Sequence, residues 1–381
     1  MNPADIKAAL AAEARAIGFD LCRVAPAGSP PHSEEFREWL AAEMHGDMKW
    51  LDRNADRRTD PNLVLPGARS VIVLGMNYWN REPQTATLIG PGANENGGEQ
   101  TPRPAQSAPL SNPQSAIRNP QSPPGRIARY AWGEDYHAVI EPKLWHLDSW
   151  LQNFGGRQRQ YVDTGPVLER DFAAVAGVGW QGKSTMLIHP KLGTWLFLAS
   201  ILTTIELPAD EPTRDHCGKC TRCITACPTG AITAPQQLDA RLCISYLTIE
   251  NKGPIPEALR PLLGDRIYGC DDCLDACPWN RFAQQSRESR FAARDFVSMP
   301  LRDFLALDDE AFLQLFRGSP IKRIKRARFL RNVCVALGNV GTSEDVPALE
   351  RAVVDPEALI TEHAQWAIKR IRVRSAAIAT R

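Results

Sequence analysis

Hydrophobic and polar positions switch between two periods along residues 1–80. The opening MNPADIKAALAAEARAIGFD has the spacing of an amphipathic helix, with Pro3 suited to its first turn and Gly18 to its end. SEEFREWLAAE (33–43) reads as a second amphipathic helix capped by Ser33, and SVIVLGMNYW (70–79) as a buried strand. The pattern breaks over 81–125, where Pro, Gly, Asn, Gln and Ser dominate and the near-repeat NPQSAIRNPQSPP occurs. Such a segment has too few apolar side chains to offset the entropy of ordering, so a disordered surface insertion is expected there. Periodicity resumes with a helix over 135–153, a strand RQYVDT, a helix opened by Pro166 and a strand over 193–204. Beyond 320 the chain reads as helical, and 322–373 has the spacing of one and a half to two stacked hairpins of HEAT type.

Composition narrows the class. The chain has 381 residues, 43% of them hydrophobic, which is enough for two or three domains. Its net charge of +1 gives no global field, so a nucleic-acid contact needs a local basic patch. No apolar run reaches the roughly 18 residues of a membrane helix. The start has the pattern of a helix rather than of an export signal, so a cytoplasmic location is expected. In that reducing compartment clustered cysteines read as metal ligands.

Eight of the ten cysteines form that cluster. Cys217-Gly-Lys-Cys220-Thr-Arg-Cys223-Ile-Thr-Ala-Cys227-Pro228 is the full C-x2-C-x2-C-x3-C-P run of bacterial two-cluster ferredoxins. Three thiolates on a tight loop wrap one cubane, and the fourth lies far enough along the chain to reach its neighbour. Cys270-Asp-Asp-Cys273-Leu-Asp-Ala-Cys277-Pro278 repeats the last three positions and lacks the first, which leaves Cys243 as the natural eighth thiolate. Ferredoxin logic then assigns Cys217, Cys220, Cys223 and Cys277 to one 4Fe–4S cluster, and Cys227, Cys243, Cys270 and Cys273 to the other. Zinc is the alternative, but structural zinc sites come as separated C-x2-C pairs. Cys22 and Cys334 sit in apolar stretches and read as core residues.

Other motifs are weaker. Gly177-Val-Gly-Trp-Gln-Gly182-Lys183-Ser184 fits the phosphate-loop pattern, yet a helix precedes it and Pro190 stops a long helix after it, so it reads as a tight loop. Asp135-Tyr-His137 begins like the cobalamin motif D-x-H-x-x-G, but Ile140 stands at its sixth position, and a structural His137 is the simpler reading. RGSPIKRIKRARFLR (317–331) is dense in Lys and Arg and holds no acid; such a stretch is either a solvated face or a phosphate-binding one.

Taken together, these stretches resemble the epoxyqueuosine reductase family. The likeness rests on Arg58-Thr-Asp-Pro61, Arg129 to His137, Val162-Asp-Thr-Gly-Pro-Val-Leu-Glu-Arg170, Gly177 to Thr185, both cysteine runs, Ile244 to Glu250, and the helical tail. Two positions depart from the family pattern: Ala128 stands where some relatives carry Cys or Ser, and Ser184 where Asn is common. The resemblance implies an α+β or α/β core of the kind found in cobalamin-dependent reductive dehalogenases, an inserted two-cluster ferredoxin module and a HEAT-like tail. The boundaries expected are 1–205, 206–285 and 286–381. It further implies base-off cobalamin contacted by Arg58, Asp163, Ser184, Leu187, Leu198, Tyr246, Gly269 and Cys270. Lys322, Arg323, Lys325, Arg326, Arg328 and Arg331 are the expected tRNA phosphate contacts. The expected partners are tRNA bearing epoxyqueuosine and an external electron donor of flavodoxin or ferredoxin type, with no membrane and a monomeric chain.

The implied reaction takes the epoxide oxygen from a cyclopentane ring at the wobble position of tRNA. It needs two electrons and a proton for the developing alkoxide. A carboxylic acid in a partly desolvated pocket supplies that proton, and Asp163, where the family's donor lies, is the candidate. A turn or cap aspartate is the plainer reading of that position. Two other functions compete: a reductive dehalogenase-like enzyme acting on a small molecule, and an iron–sulfur electron-transfer adaptor that binds no corrinoid.

Overall fold

The computed structural model describes residues 1–81 and 122–379. The insertion expected over 81–125 falls, but for its ends, outside them. A four-stranded sheet carries the amino-terminal half, in the order Leu21–Pro26, Ser70–Asn77, Leu196–Thr203, Gln158–Tyr161. Every pairing in it is antiparallel, with Ser70 opposite Thr203 and Asn77 opposite Leu196. The α/β half of the sequence expectation is thereby corrected to α+β. Alternation of helix and strand along the chain names the element types but not the strand directions, which only the register reveals.

All eight residues of Ser70–Asn77 are buried, because the sheet is covered on both faces. Its side chains divide by parity. Ile72, Leu74 and Met76 pack with Leu10, Ala14, Val139 and Leu144 from the helices Pro3–Ala16 and Tyr136–Gln152. Val71 and Val73 pack with Val64, Val167 and Phe172 on the other side. Pro3 opens the first helix, Asn2 caps it by accepting the Asp5 N–H at 2.9 Å, and Gly18 turns the chain at φ +103°. In the second helix, Ser33–Ala41, His32 takes the N-cap position without a side-chain capping bond, and the Ser33 hydroxyl donates to the Pro30 carbonyl at 2.6 Å. The helix expected from Pro166 begins at Glu169. Asp163 at φ +60° and the bond from Thr164 N–H to the Val162 carbonyl hold the preceding residues in a turn, which leaves Asp163 outside the helix.

The carboxy-terminal helices Lys325–Val340, Val346–Val353 and Ala358–Ala379 pack on one another. They share one core with Ile127, Trp132, Ile249, Ile267 and Tyr268, around a nest of Phe304, Phe312, Phe316 and Phe329. The Phe316 and Phe329 rings stand 4.8 Å apart, edge to face. Among the described residues no helix is long and apolar enough to cross a membrane.

Candidate functional site

Two short helices of matching design hold the cysteine runs. Arg222–Thr225 and Asp272–Asp275 pack together, each followed by a Cys-Pro step. Cys243 stands at the start of the helix Ile244–Ile249. None of the eight cysteines is in a disulfide, and all eight are half-buried. The fold sorts them into two groups. Cys277 lies within electrostatic reach of Cys217, Cys220 and Cys223. Cys273 lies within reach of Cys243, Cys270 and Cys227. Burial raises the Cys243, Cys270 and Cys273 thiols, Cys270 to about 12, so cluster assembly there must displace protons. Among the described residues no group of three or more His, Cys, Asp or Glu side chains stands close enough to hold a metal ion.

The segment that follows Tyr268 links the second group of cysteines to a cluster of aromatic and acidic side chains. Gly269, at φ +70°, donates its N–H to Thr248 Oγ1 at 2.9 Å. A Cβ at this glycine would lie 2.5 Å from that of Ala128, so only glycine lets Cys270 lie against the Ala128–Tyr130 turn. Asp271 accepts the Arg129 N–H at 2.7 Å, and burial raises its carboxyl to about 6. Tyr130 then meets Tyr136 edge-on at 6.2 Å.

Tyr136 is the centre of this cluster. Its ring stacks between His137 and Phe197, at 4.1 and 4.5 Å, and its hydroxyl donates to Asp163 Oδ2 at 2.6 Å. Burial, and next the Asp163 charge, push the Tyr136 phenol far up, so it remains a hydrogen-bond donor. Asp163 is exposed at the end of its strand, and its N–H donates to Glu169 Oε1 at 3.3 Å. Burial, reinforced by Asp163, raises the Glu169 carboxyl to about 8. The half-buried Arg58 faces both acids; burial lowers its guanidinium, which donates to the Val167 carbonyl at 3.3 Å. Glu169 and Tyr136 lie within the stretches that carry the family likeness, and sequence reasoning missed both. The signal that could have found Glu169 is a second acid six residues after Asp163, at the first position of the following helix.

The structure places the remaining candidates as follows. Leu187 is in the core beside Phe172, with Leu198 packed against it. Ser184 is buried in the loop between the paired strands Trp180–Gln181 and Leu187–Ile188, which make a hairpin and no phosphate loop. Tyr246 packs near Cys243 and Cys270, and its hydroxyl accepts the Asp47 N–H at 2.8 Å. Asp135 caps the helix Tyr136–Gln152 and holds His137 Nδ1 at 2.8 Å, the structural role expected of that histidine. Cys334 is fully buried, and Cys22 is half-buried against the core.

The basic run divides. Arg331 is a correction: it is fully buried, donating to the Leu247 carbonyl at 2.7 Å and to the Asn251 carbonyl at 2.9 Å, so it reaches no phosphate. With Asn332, which donates to the Thr248 and Ile267 carbonyls, it ties the long tail helix to the segments that carry Cys243 and Cys270. Arg326 is held by Asp355 and the Leu307 carbonyl, and Arg328 by the Ile324 and Ile249 carbonyls. Lys322, Arg323 and Lys325 are exposed. Arg323 pairs with Glu250 and acts electrostatically on Tyr130 and Tyr136.

Eight unpaired cysteines packed beside an aromatic cluster that carries Asp163 and Glu169 are the parts of an iron–sulfur redox enzyme. Residues 216–280 match the model of a 4Fe–4S double cluster binding domain, and residues 104–164 match that of epoxyqueuosine reductase QueG, DUF1730. The epoxyqueuosine reductase of Xanthomonas campestris is 40% identical over 96% of each chain. That of Escherichia coli K12 is 38% identical over 95% of this chain and 89% of its own. A solved epoxyqueuosine reductase, crystallised with an epoxyqueuosine-modified tRNA stem loop, superposes with a TM-score of 0.80 at 29% identity, covering 96% of this chain and 90% of that one. The chain belongs to the epoxyqueuosine reductase family.

Proposed function

We propose that the chain reduces epoxyqueuosine to queuosine in tRNA. The balance is an epoxide, two electrons and two protons giving an alkene and water. The observation that carries the reading is the continuity from the quartet of Cys270 and Cys273, through Gly269 and the Ala128–Tyr130 turn, to Tyr136 and Asp163. In this reading Cys217, Cys220, Cys223 and Cys277 hold one cluster, and Cys227, Cys243, Cys270 and Cys273 the other. The electrostatic grouping of the thiols supports that division.

Cobalamin, which the family implies, supplies a cobalt reductant for the epoxide carbon when bound. The residues present fit such a group. Arg58 offers a half-buried guanidinium whose Nε has no partner among the described residues, and His137 Nε2 is likewise unpartnered in the same pocket. Arg58, Ser184, Leu187 and Leu198 would hold it from one side, with Tyr246, Gly269 and Cys270 on the cluster side.

Protonation falls to Asp163 and Glu169. Burial, reinforced by the neighbouring Asp163 charge, keeps the Glu169 carboxyl protonated up to about 8. Glu169 therefore stores the proton, and the exposed Asp163, oriented by the Tyr136 hydroxyl, delivers it to the alkoxide. Lys322, Arg323 and Lys325 bind tRNA phosphates at the mouth of the pocket, an assignment favoured by the electrostatic reach of Arg323 to Tyr130 and Tyr136. The three tail helices read as one and a half HEAT-type hairpins carrying that surface. The test is incubation of the reduced, cluster-loaded protein with cobalamin and tRNA carrying epoxyqueuosine. Loss of one oxygen from the nucleoside by mass spectrometry is expected; an unchanged nucleoside overturns the reading.

A further inference from the structure

The two cysteine quartets meet very different surroundings. Cys243 and Cys270 pack against the buried cluster of Ala240, Ile244 and Leu247, as do Trp39 and Met48, and the Ala240 N–H donates to the Met44 carbonyl at 3.0 Å. The Cys217–Cys223 loop instead faces outward. Gly218, Lys219, Thr221 and Arg222 are exposed, and a methyl added at Gly218 meets nothing within 4 Å. A protein that hands over electrons must bring its own redox group close, and this loop is where the fold lets a large partner approach.

The rim of the loop is predominantly cationic. Arg214, Lys219, Arg222 and Arg281 are exposed, and none takes part in a salt bridge recorded among the described residues. Lys183 adds a further positive charge, its ammonium bonded to the Gly218 carbonyl at 2.7 Å. One acid stands among these cations: the exposed Asp215, which accepts the Cys217 N–H at 2.7 Å. A chain of net charge +1 has no excess of cations to scatter, so this grouping is local. Beside the cations lies an apolar edge. Phe282 is 40% exposed, with the Arg281 guanidinium 4.5 Å above its ring. Trp279 backs it at 5.7 Å and stands 4.9 Å from Trp180 and 5.8 Å from His216. An aromatic centre flanked by an excess of positive charge is the anatomy of a steered, transient protein interface.

We propose that this cationic rim, formed by Arg214, Lys219, Arg222 and Arg281 beside Phe282, is the docking surface for an acidic one-electron carrier protein. The proposal rests on the redox reading of the two quartets given above. Each encounter moves one electron: a reduced flavin carrier passes from hydroquinone to semiquinone while the outer cluster goes from its oxidised to its reduced state. No bond forms or breaks, and two encounters serve one epoxide. A tRNA phosphate backbone is the competing polyanion. The observations favour the carrier, because the cations proposed for tRNA lie elsewhere, at Lys322, Arg323 and Lys325 beside Glu250.

The test is binding of a purified acidic flavodoxin to the cluster-loaded protein, read by calorimetry across a salt series. Wild type is compared with K219E/R222E/R281E and with R281E alone, whose residue is further from the ligands in sequence. The expected result is at least about tenfold weaker flavodoxin binding in the triple variant and a flattened salt dependence, with affinity for a tRNA stem loop unchanged. Unchanged flavodoxin binding overturns the proposal, and so does a fall in tRNA affinity without a fall in flavodoxin affinity. Iron content confirms that each variant is loaded; should the triple variant fail to load, R281E and the wild-type salt series decide. Epoxide conversion driven by titanium(III) citrate is scored separately, so a failure of the function reading is distinguishable from a failure of the docking surface.

Discussion

At the residue scale, the acid pair carries the sharpest consequence. Asp163 touches the reacting oxygen in the proposed reaction, and Asp163→Asn should slow single-turnover reduction by about 10²–10⁴-fold with tRNA affinity intact. A rate within a few-fold of wild type would remove Asp163 from the mechanism. Glu169 is tested by pH. Its carboxyl stays protonated in the folded chain up to about 8, so the single-turnover rate should fall as pH rises through that value. Glu169→Gln should abolish that limb of the profile. Stability carries the same signature. The unfolded chain loses this proton near 4.5 and the folded chain near 8, so the folded state binds more protons between them and stability declines as pH rises through that window. Urea titrations of wild type and Glu169→Gln across the window should show the decline flattened in the variant; parallel curves would show that Glu169 does not hold the proton. None of this was legible from the Val-Asp-Thr-Gly-Pro stretch alone, because protonation depends on how far Glu169 is buried against Asp163. The cysteines were legible, because a cubane fixes ligand spacing within one short loop.

At the element scale, the long helix Lys325–Val340 shows where charge along a sequence misleads. Its cations and those just before it form one dense run, yet Lys322, Arg323 and Lys325 meet water while Arg331 is fully buried. A linear count cannot separate the two, since burial follows from which helix face meets the segments around Leu247 and Asn251. The same limit hid the strand directions of the sheet. Two outcomes follow. K322E/R323E/K325E should weaken tRNA stem-loop binding and lower the salt slope by about two to three, without affecting the melting temperature by more than a few degrees. Arg331→Met leaves the Leu247 and Asn251 carbonyls unsatisfied and should destabilise the fold by about 3–5 kcal/mol. Iron content should fall with it, because those carbonyls belong to the segment after Cys243. A stable, fully loaded Arg331→Met protein with weakened tRNA affinity would return Arg331 to the phosphate surface.

For the molecule as a whole, the shared core joins functions that the sequence suggests are modular. Ile127 and Trp132 flank the turn beside the pocket, Ile267 and Tyr268 lead into Cys270, and Phe304, Phe316 and Phe329 belong to the tail, all in one cluster of buried side chains. The tail therefore shares its core with the segment that leads into Cys270, and the proposed tRNA surface and the proposed carrier surface lie on different segments of the chain. Interiors at crystal-like density transmit a defect to everything that shares them. Phe329→Ala removes a fully buried ring in van der Waals contact with Phe304, Phe312 and Phe316, and should cost about 3–5 kcal/mol. Because Ile249, Ile267 and Tyr268 line the same cavity, the quartet of Cys243, Cys270 and Cys273 should lose iron on mild chelation before the quartet of Cys217, Cys220 and Cys223 does. Calorimetry checks the premise: one cooperative transition should contain both the tail and the second quartet. A tail that melts by itself while iron is retained would mean that the core is two units in contact and not one.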